Sequence, residues 1–362
     1  MLCWNGLGLK MEEPIHRGNE DRKMESNLII SFEEFQKYCE DNEKKFNVTG
    51  QCHDCSVRSN CLFDNKEMQI DSLLHMNLDD SRFPLLLNFL QKRPEALYYF
   101  PAKIYYAIYG LYHKVFSCPF ISNSIFNNLN NIETVYQMLT DEESKLTFLN
   151  VLMYRLTQNR DYALRAYSMT PQYFIPAFRG LGSGERYVDC GAYTGDSFKS
   201  YCQYNDIPKS AYLFEPDNNN RQNMKSNLCS YKSVSNIKII SKGVYKYSGE
   251  LYFVERSGQG CHLSETPVNN AIKLSVVAID DVIDEDISFI KMDIEGSEKE
   301  ALIGAQRHIS HSFPKLAICI YHKISDLWEI PLLVMKLFPE YNVFQLRHHT
   351  KHVFETVLYV YK

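Results

Sequence analysis

The sequence predicts an α/β fold, in which a doubly wound, mostly parallel, seven-stranded sheet follows an N-terminal helical region. Three observations support this prediction. Near residue 180 the helical periodicity gives way to short apolar strands. Those strands alternate with helical segments, which is typical of a parallel sheet covered on both faces. The chain ends in two strands whose short connection suits an antiparallel pair.

The composition is that of a soluble globular protein. Of the 362 residues, 45% are hydrophobic and 23% are charged, and the formal net charge is -5. This charge argues against general binding to nucleic acid or to an anionic lipid surface. The N-terminus lacks the apolar run of a secretory signal, and no later stretch offers the roughly 20 apolar residues of a membrane span. We therefore expect a cytoplasmic location.

The part of the chain before the sheet divides into a tail and a helical region. Residues 1–26 are predicted to be disordered, and residues 27–179 carry helical patterns. Ser31, with Glu34 three residues later, forms the signature of a capping box, and Asp141 is a predicted N-cap of a later helix. The glycine-rich GLGSGE then marks the start of a second domain, predicted to span residues 180–362.

A cluster of cysteines between residues 39 and 61 is a candidate metal site. Cys52, Cys55 and Cys61 have the spacing C-x2-C-x5-C, and Cys39 is a possible fourth ligand. In a reducing compartment, thiolates this close favour zinc or an iron–sulfur cluster over a disulfide. Accidental clustering in a loop explains the same spacing equally well.

The first predicted strand, RYVDC, leads into a turn that contains two glycines. In such sheets, ligands bind at the carboxyl ends of the strands. The strand reaches Asp189 near its end, and Gly191 and Gly195 follow, where they allow a sharp turn and a close approach to a ligand. The G-x-x-x-G spacing differs from the dinucleotide fingerprint, and taken alone it suits a structural turn equally well.

The second predicted strand ends in an acidic residue, Glu215. An acid roughly 20 residues beyond the glycine turn is well placed to accept hydrogen bonds from both hydroxyls of a ribose. The alternative is that Glu215 caps the next helix, although Asp217 and Asn218 suit that role better. The glycine turn and the acid together favour a nucleoside ligand.

The stretch FIKMDIEGSEKEAL places three carboxylates directly after an apolar strand. The carboxylates of Asp293, Glu295 and Glu298 repel one another and resist burial. Folding alone does not require three carboxylates at this position. Glu298 begins the next helix, where negative charge suits the helix dipole. Asp293 lies at the strand end, and its alternative role is that of a helix N-cap. The following strand ends in His322, which is predicted to face the same crevice.

These motifs resemble a known family. VDCGAYTGDSF, LFEPDNNN and FIKMDIEGSEKEAL followed by GA are similar to the successive motifs of FkbM-type methyltransferases. Those enzymes use S-adenosylmethionine to methylate hydroxyl oxygens, often on sugars. The resemblance covers the C-terminal half strongly and implies a class I methyltransferase-like Rossmann fold. Tyr193 and Thr194 depart from the Asn and Ile often found in the glycine turn.

The resemblance also implies a set of cofactor contacts. The expected S-adenosylmethionine contacts are Asp189, Gly191, Gly195, Glu215, Lys242 and Gly243.

Catalysis and acceptor binding are assigned to strand ends. Asp293 is expected to be the general base or the ligand of the acceptor hydroxyl, with Glu295 as its partner. His322 is expected to be a base or an acceptor ligand. Arg347 and His348 resemble a late motif of one family branch and are expected to contact the acceptor. The oxygens of Asp293 and Glu295, together with His322, would also suit Mg²⁺.

The leading functional hypothesis is an O-methyltransferase that acts on a sugar hydroxyl of a glycan or a glycosylated metabolite. One alternative keeps the cofactor and moves the methyl group to a nitrogen or a carboxylate. Another is a non-catalytic binding module, since a fold alone does not fix an activity. The intact acidic strand ends argue against the binding module.

Overall fold

The computed structural model describes residues 31–46, 119–157, 159–231, 236–256, 260–264, 266 and 271–362. The predicted tail at residues 1–26 and the cysteines Cys52, Cys55 and Cys61 lie outside these residues. Within the described ranges, no helix is both long and apolar enough to cross a bilayer.

The strands and helices alternate through the second half of the chain. The strands are β1 (Arg186–Cys190), β2 (Ser210–Phe214), β3 (Asn236–Ile240), β4 (Gly243–Val244), β5 (Gly249–Arg256), β6 (Gly260–Ser264), β7 (Ile272–Val277), β8 (Phe289–Met292), β9 (Lys315–Cys319), β10 (Val343–His348) and β11 (Thr356–Tyr361). The helices are α1 (Phe32–Phe46), α2 (Pro119–Phe126), α3 (Leu129–Met138), α4 (Glu142–Thr157), α5 (Arg160–Ala166), α6 (Asp196–Tyr204), α7 (Asn218–Asn227), α8 (Ile279–Val282), α9 (Glu298–Ile303), α10 (Gln306–Ser312) and α11 (Asp326–Leu337).

Seven of the strands form one sheet in the order β10-β11-β9-β8-β1-β2-β3. The strands from β9 to β3 pair in parallel, and β11 runs antiparallel to both β9 and β10. The strand order reverses at β1, which pairs with β2 on one side and with β8 on the other. This arrangement confirms the predicted doubly wound, mostly parallel sheet and its final antiparallel pair.

A smaller sheet with the order β4-β7-β5-β6 lies between β3 and β8 in the chain. The sequence GQGCHLSET suggests a flexible loop, but residues 260–264 form β6 and pair antiparallel with β5. That expectation is therefore wrong for these residues. Pairing with a neighbouring strand satisfies backbone hydrogen bonds whatever the polarity of the side chains. The polarity of these residues alone therefore does not distinguish a strand from a loop.

The predicted helix caps are confirmed. The Ser31 backbone N–H donates to Glu34 Oε2 at 2.8 Å, and the Glu34 N–H donates to Ser31 Oγ at 3.2 Å, which completes the capping box. Asp141 Oδ1 accepts from the Ser144 N–H at 2.8 Å, directly before α4.

The two faces of the large sheet bury separate hydrophobic clusters. Neighbouring residues of β8 contribute to opposite faces, with Ile290 in one cluster and Phe289 in the other, as the alternation of a strand requires. The cluster around Ile290 also contains Phe35 of α1 and Leu152 of α4. The helices of the N-terminal region therefore share a core with the sheet.

Candidate active site

The carboxyl ends of β1 and β8 meet at one edge of the sheet. The Asp293 N–H donates to the carbonyl oxygen of Cys190 at 3.0 Å, so the turn after β8 lies against the end of β1. A Cβ on Gly191 would lie only 2.0 Å from the carbonyl oxygen of Asp293, and Gly191 has a φ of +87°. Glycine is thus required for both conformation and space, and Asp293 lies beside the glycine turn as predicted.

The Asp293 carboxylate is surrounded by donors. The hydroxyl of Tyr173 donates to Oδ2 at 2.9 Å, and that of Tyr321 donates to Oδ1 at 3.2 Å. His322 Nε2 lies 3.4 Å from Oδ1. Burial opposes ionisation, but His322 and the Lys291 ammonium hold the pKa of Asp293 well below its usual value. Asp293 is therefore an anion at any ordinary pH.

His322 lies between two carboxylates. Its Nδ1 is 3.1 Å from Glu298 Oε1, on the side away from Asp293. Burial lowers the pKa of His322, but Glu298 and Asp293 outweigh burial and raise it to about 10. The side chain is an imidazolium at neutral pH, so it forms ion pairs with the carboxylates and has no free lone pair with which to act as a base.

Glu298 belongs to this cluster as well as to the start of α9. Its side chain is fully buried, and Oε1 accepts from the N–H groups of Ile294 at 2.8 Å and Gly296 at 3.4 Å. Burial opposes its ionisation, but the His322 charge and the Ile294 N–H lower the pKa of Glu298. The position of Glu298 in the same turn as Asp293 was the available sequence signal for this role.

Glu295 lies at the rim of the cluster. Its Oε2 is 3.8 Å from His322 Nε2, and its side chain is 39% exposed. The residue has a φ of +58°, a conformation that non-glycine residues rarely adopt. The turn thus holds Glu295 in a strained conformation at the mouth of the site.

The predicted metal sites stay predictions. Ligand atoms of Asp293, Glu298 and His322 lie within 4.8 Å of one another, a spacing that would suit a metal ion, with Glu298 in the place of the predicted Glu295. In this arrangement, however, the His322 imidazolium supplies positive charge between the two carboxylates.

Of the predicted zinc or iron–sulfur ligands, the structure describes only Cys39, which is buried in α1, and burial raises the pKa of its thiol to about 12.

Asp189 lies beneath the glycine turn rather than on its surface. It is fully buried, and its Oδ1 is 3.0 Å from the ammonium of Lys291, which also donates to the Gly191 carbonyl oxygen at 2.8 Å. The hydroxyls of Tyr187 and Ser197 donate to Oδ2 at 3.0 and 2.7 Å. These contacts fix the glycine turn from below. The sequence does not reveal this role of Lys291, because the residue resembles a polar interruption of an otherwise apolar strand.

Glu215 lies at the carboxyl end of β2, as predicted. Its carboxylate accepts from the N–H groups of Tyr193 at 3.0 Å and Asp217 at 2.8 Å, and burial raises its pKa. The cap of α7 is Asp217, which accepts from the Asn220 N–H at 2.8 Å. Glu215 is therefore not the helix cap, and its carboxylate is held in position at the strand end.

The other predicted cofactor contacts follow the ends of β1 and β3; they are Gly195, Lys242 and Gly243. Gly195, with a φ of +80°, is the N-cap of α6 and packs against Leu228. Lys242 is exposed after β3, and Gly243 begins β4, where it pairs with Val276 of the smaller sheet.

Arg347 and His348 make their contacts within the fold. The Arg347 guanidinium lies 3.3 Å from Asp141 and 3.1 Å from Glu143 at the start of α4. His348 Nδ1 is 2.9 Å from the Thr356 hydroxyl, and burial lowers the pKa of His348 to about 4, so this ring is neutral. Their contact with an acceptor stays a prediction.

Several site residues carry no sequence motif. A cavity of about 160 Å³ lies between the start of α6 and the segment before β1, and Tyr173, Asp196 and Ser197 are among its lining residues. Tyr173 thus lines this cavity and also contacts Asp293. Glu355, in the connection before β11, accepts from the Tyr321 hydroxyl at 3.5 Å and from the amide of Gln172. Only the tertiary fold brings these residues to the strand ends.

Part of the chain is similar to known proteins. Residues 189–348 match the family described as the methyltransferase FkbM domain. The structure is similar to that of a methyltransferase FkbM from Methylobacillus flagellatus, with 31% identity and a TM-score of 0.58. That similarity covers 66% of this chain and 60% of the other, so it spans less than two thirds of the relative's length.

More distant similarities were also found. An rRNA methylase from Streptococcus thermophilus has 14% identity and a TM-score of 0.34, over 57% of this chain and 95% of that one. Fibrillarin of Aeropyrum pernix, in complex with natively bound S-adenosyl-L-methionine, has 11% identity and a TM-score of 0.34, over 54% and 73% of the two chains. At these TM-scores neither supports a conclusion about this chain. No curated protein matches the sequence.

Proposed function

We propose, on the premise that this chain carries a methyltransferase FkbM domain, that it is an S-adenosylmethionine-dependent O-methyltransferase. The proposed acceptor is a hydroxyl of a sugar, in a glycan or a glycosylated metabolite. The observation that carries the proposal is the Asp293 carboxylate, which donors hold as an anion beside the glycine turn.

The described residues fit the chemical groups of S-adenosylmethionine. The Glu215 carboxylate accepts three hydrogen bonds and keeps about one of its four lone-pair sites, so at the end of β2 it suits a ribose hydroxyl. The cavity beside Tyr173 is lined by Asp196, whose carboxylate suits the ammonium group of the amino-acid moiety. When bound, the cofactor supplies an electrophilic methyl group on a cationic sulfur.

The protein's own contribution is charge and orientation. Tyr173 lines the cavity and donates to Asp293, so the negative charge of Asp293 lies close to the cavity and favours a cation there. Its low pKa makes it a poor base but a good acceptor of a hydrogen bond, so we assign to it the orientation of the acceptor hydroxyl. Tyr173, Tyr321 and His322 hold the carboxylate in one position.

A sugar acceptor is supported by the rim of the site. Phe354 is 47% exposed, and its ring centroid lies 6.0 Å from that of Tyr321, which donates to Asp293. An exposed aromatic ring beside a hydrogen-bonding carboxylate suits a sugar, which offers an apolar face and a hydroxyl edge.

The test is methyl transfer from isotope-labelled S-adenosylmethionine to glycan extracts, sugars, amines and carboxylic acids. The proposal predicts label in sugar products that survive mild alkali, since methyl ethers are stable and methyl esters are not. Label in amines or in alkali-labile esters would favour the alternative acceptors. Tight cofactor binding without transfer to any acceptor would favour a binding module.

A further inference from the structure

Two carboxyl groups converge on the proposed acceptor position. Ligand atoms of Asp293, Glu355 and Cys319 lie within 4.8 Å of one another. The Tyr321 hydroxyl connects the two carboxyl groups, at 3.2 Å from Asp293 Oδ1 and 3.5 Å from Glu355 Oε1. Asp293 belongs to the β8 turn and Glu355 to the connection before β11, so two separate elements build this pair.

The surroundings of the two carboxyl groups differ. Asp293 is close to the cationic groups of His322 and Lys291, as described above. The hydrogen bonds that the Glu355 carboxyl accepts within the described part of the chain come from neutral groups, the Gln172 amide and the Tyr321 hydroxyl, whose one proton is shared with the closer Asp293. Burial, and after it the negative charge of Asp293, raise the pKa of Glu355. Two such groups divide into one stable anion and one that takes up a proton more readily.

The backbone holds Glu355 in place at a cost. Its φ is +64°, in the left-handed region. Holding a non-glycine residue in that conformation costs on the order of 1–3 kcal/mol of free energy. Tyr173 and Glu295, which contribute to the same site, have φ values of +69° and +58°. Strained residues that gather around one cluster are typical of functional sites.

We propose that Glu355 is the general base of the site and accepts the proton of the acceptor hydroxyl that Asp293 orients. The inference rests on the proposed function. As the new oxygen–carbon bond forms, the O–H bond breaks and its proton passes to the Glu355 carboxylate. The carbon–sulfur bond breaks at the same time, and its electron pair stays on sulfur. The products are a methyl ether, a neutral thioether and a protonated Glu355.

The test compares Glu355→Gln and Glu355→Asp with the wild type. We expect Glu355→Gln to lower kcat by about 10²-fold or more, which is the usual contribution of a general base. We expect Glu355→Asp to retain part of the activity, because it keeps a carboxylate. Cofactor affinity, measured by calorimetry, is expected to fall much less than kcat, because Glu355 meets the cavity through Gln172, whose amide can also donate to the new glutamine oxygen. Glu340→Gln, at an exposed glutamate, is the matched control.

A second measurement uses the ligand-free protein. The charged or titratable groups that interact with Glu355 are Asp293, Lys291, His322, Cys319, Tyr321 and Tyr173. The pKa of Glu355 is raised in the folded state. Ionisation of Glu355 therefore lowers the free energy of unfolding as the pH rises above the ordinary pKa of a glutamate. Glu355→Gln removes that charge, so the variant is expected to melt above the wild type at about pH 8 and to lose this advantage near about pH 5. A merely structural glutamate would give a variant that melts lower at both.

The outcomes separate the two proposals. Wild-type transfer with undiminished turnover in Glu355→Gln would overturn the base assignment and leave the methyltransferase proposal intact. A Glu355→Gln variant that is inactive, melts lower at both pH values and loses cofactor affinity would also overturn it. If the wild type itself transfers no methyl group, the proposed function fails and the base assignment fails with it.

Discussion

Three separate parts of the chain fix the charge of Asp293. Tyr173 comes from the segment before β1, Lys291 from β8, and His322 from the end of β9. Their combined effect outweighs the burial of the carboxyl group, so the anion is present before any ligand binds. A carboxylate oriented in advance loses little freedom when it accepts the hydrogen bond of an acceptor hydroxyl.

We expect Asp293→Asn to abolish most turnover. The variant keeps the shape but loses the negative charge that orients the acceptor hydroxyl, so kcat should fall by roughly 10²-fold or more. Cofactor binding should stay measurable, because the Glu215 carboxylate and its donors are unchanged. Asp206→Asn, at an exposed aspartate, is the control. Full methyl-transfer activity in Asp293→Asn would refute the role of this residue.

His322 should make stability depend on pH on the alkaline side. Its pKa is raised to about 10 in the folded state, against an ordinary value of about 6.5, so only the folded protein keeps the proton in between. The stabilisation is complete below the ordinary value and is lost as pH rises through about 10. Unfolding free energies from urea titrations between about pH 7 and pH 10 measure this slope. His322→Gln should show a flatter profile, and an equal slope in both proteins would contradict the ion-pair assignment.

At the residue scale, the sequence could predict the side chains that lie at the carboxyl ends of the strands. Asp293 and Glu215 follow apolar strands directly, so their positions follow from the predicted sheet. Tyr173 could not be found in this way, because it lies 120 positions from Asp293 and precedes the strands. Glu355 also lacks a motif, and Lys291 resembles an interruption of a strand. Their roles arise from contacts between distant segments.

The turn after β1 shows how one element limits another. Gly191 combines a positive φ with direct contact against the Asp293 carbonyl oxygen, so the β1 and β8 turns fit together only without a side chain. The Lys291 ammonium bonds to the Gly191 carbonyl oxygen and pairs with Asp189. The position of Asp293 therefore depends on the turn after β1.

We expect Gly191→Ala to disrupt the site. The added Cβ would lie 2.0 Å from the Asp293 carbonyl oxygen, which forces the backbone of one turn to move. Loss of both cofactor binding and turnover is expected, with a lower melting temperature. Gly182→Ala is the matched control, since a Cβ there meets nothing within 4 Å. If Gly191→Ala melts and binds cofactor like Gly182→Ala, the close packing of the two turns is not required.

At the element scale, the hydrophobic rhythm predicted the strands of the large sheet well and the smaller sheet poorly. RYVDC and SAYLF are short apolar runs buried on both faces, which is the pattern that a central parallel strand requires. The strand β6 is formed by GCHLS, whose glycine and polar residues resemble a loop. Pairing with β5 decides its conformation, and a local pattern does not report such pairing.

Across the whole molecule, the N-terminal helices take part in building the site. Arg155 of α4 donates to the carbonyl oxygen of Tyr321 at 2.8 Å and to that of Val353 at 2.9 Å. The first carbonyl directly precedes His322, and the second lies two residues before Glu355. One guanidinium thus ties the helical region to both connections that carry the proposed catalytic groups.

We expect Arg155→Met to lower turnover more than cofactor affinity. The substitution leaves two carbonyl oxygens without this donor, and such a loss costs roughly 1–3 kcal/mol per buried group. The connections after β9 and before β11 then become free to shift, and a small displacement of Tyr321 or Glu355 misaligns the acceptor. Glu215 lies on the other side of β1, so the cofactor dissociation constant should change little. The measurements are kcat, calorimetric cofactor affinity and urea unfolding. Arg165→Met, at an exposed arginine of α5, is the control. Equal kcat values in the two variants would show that the helical region supports the fold without aligning the site.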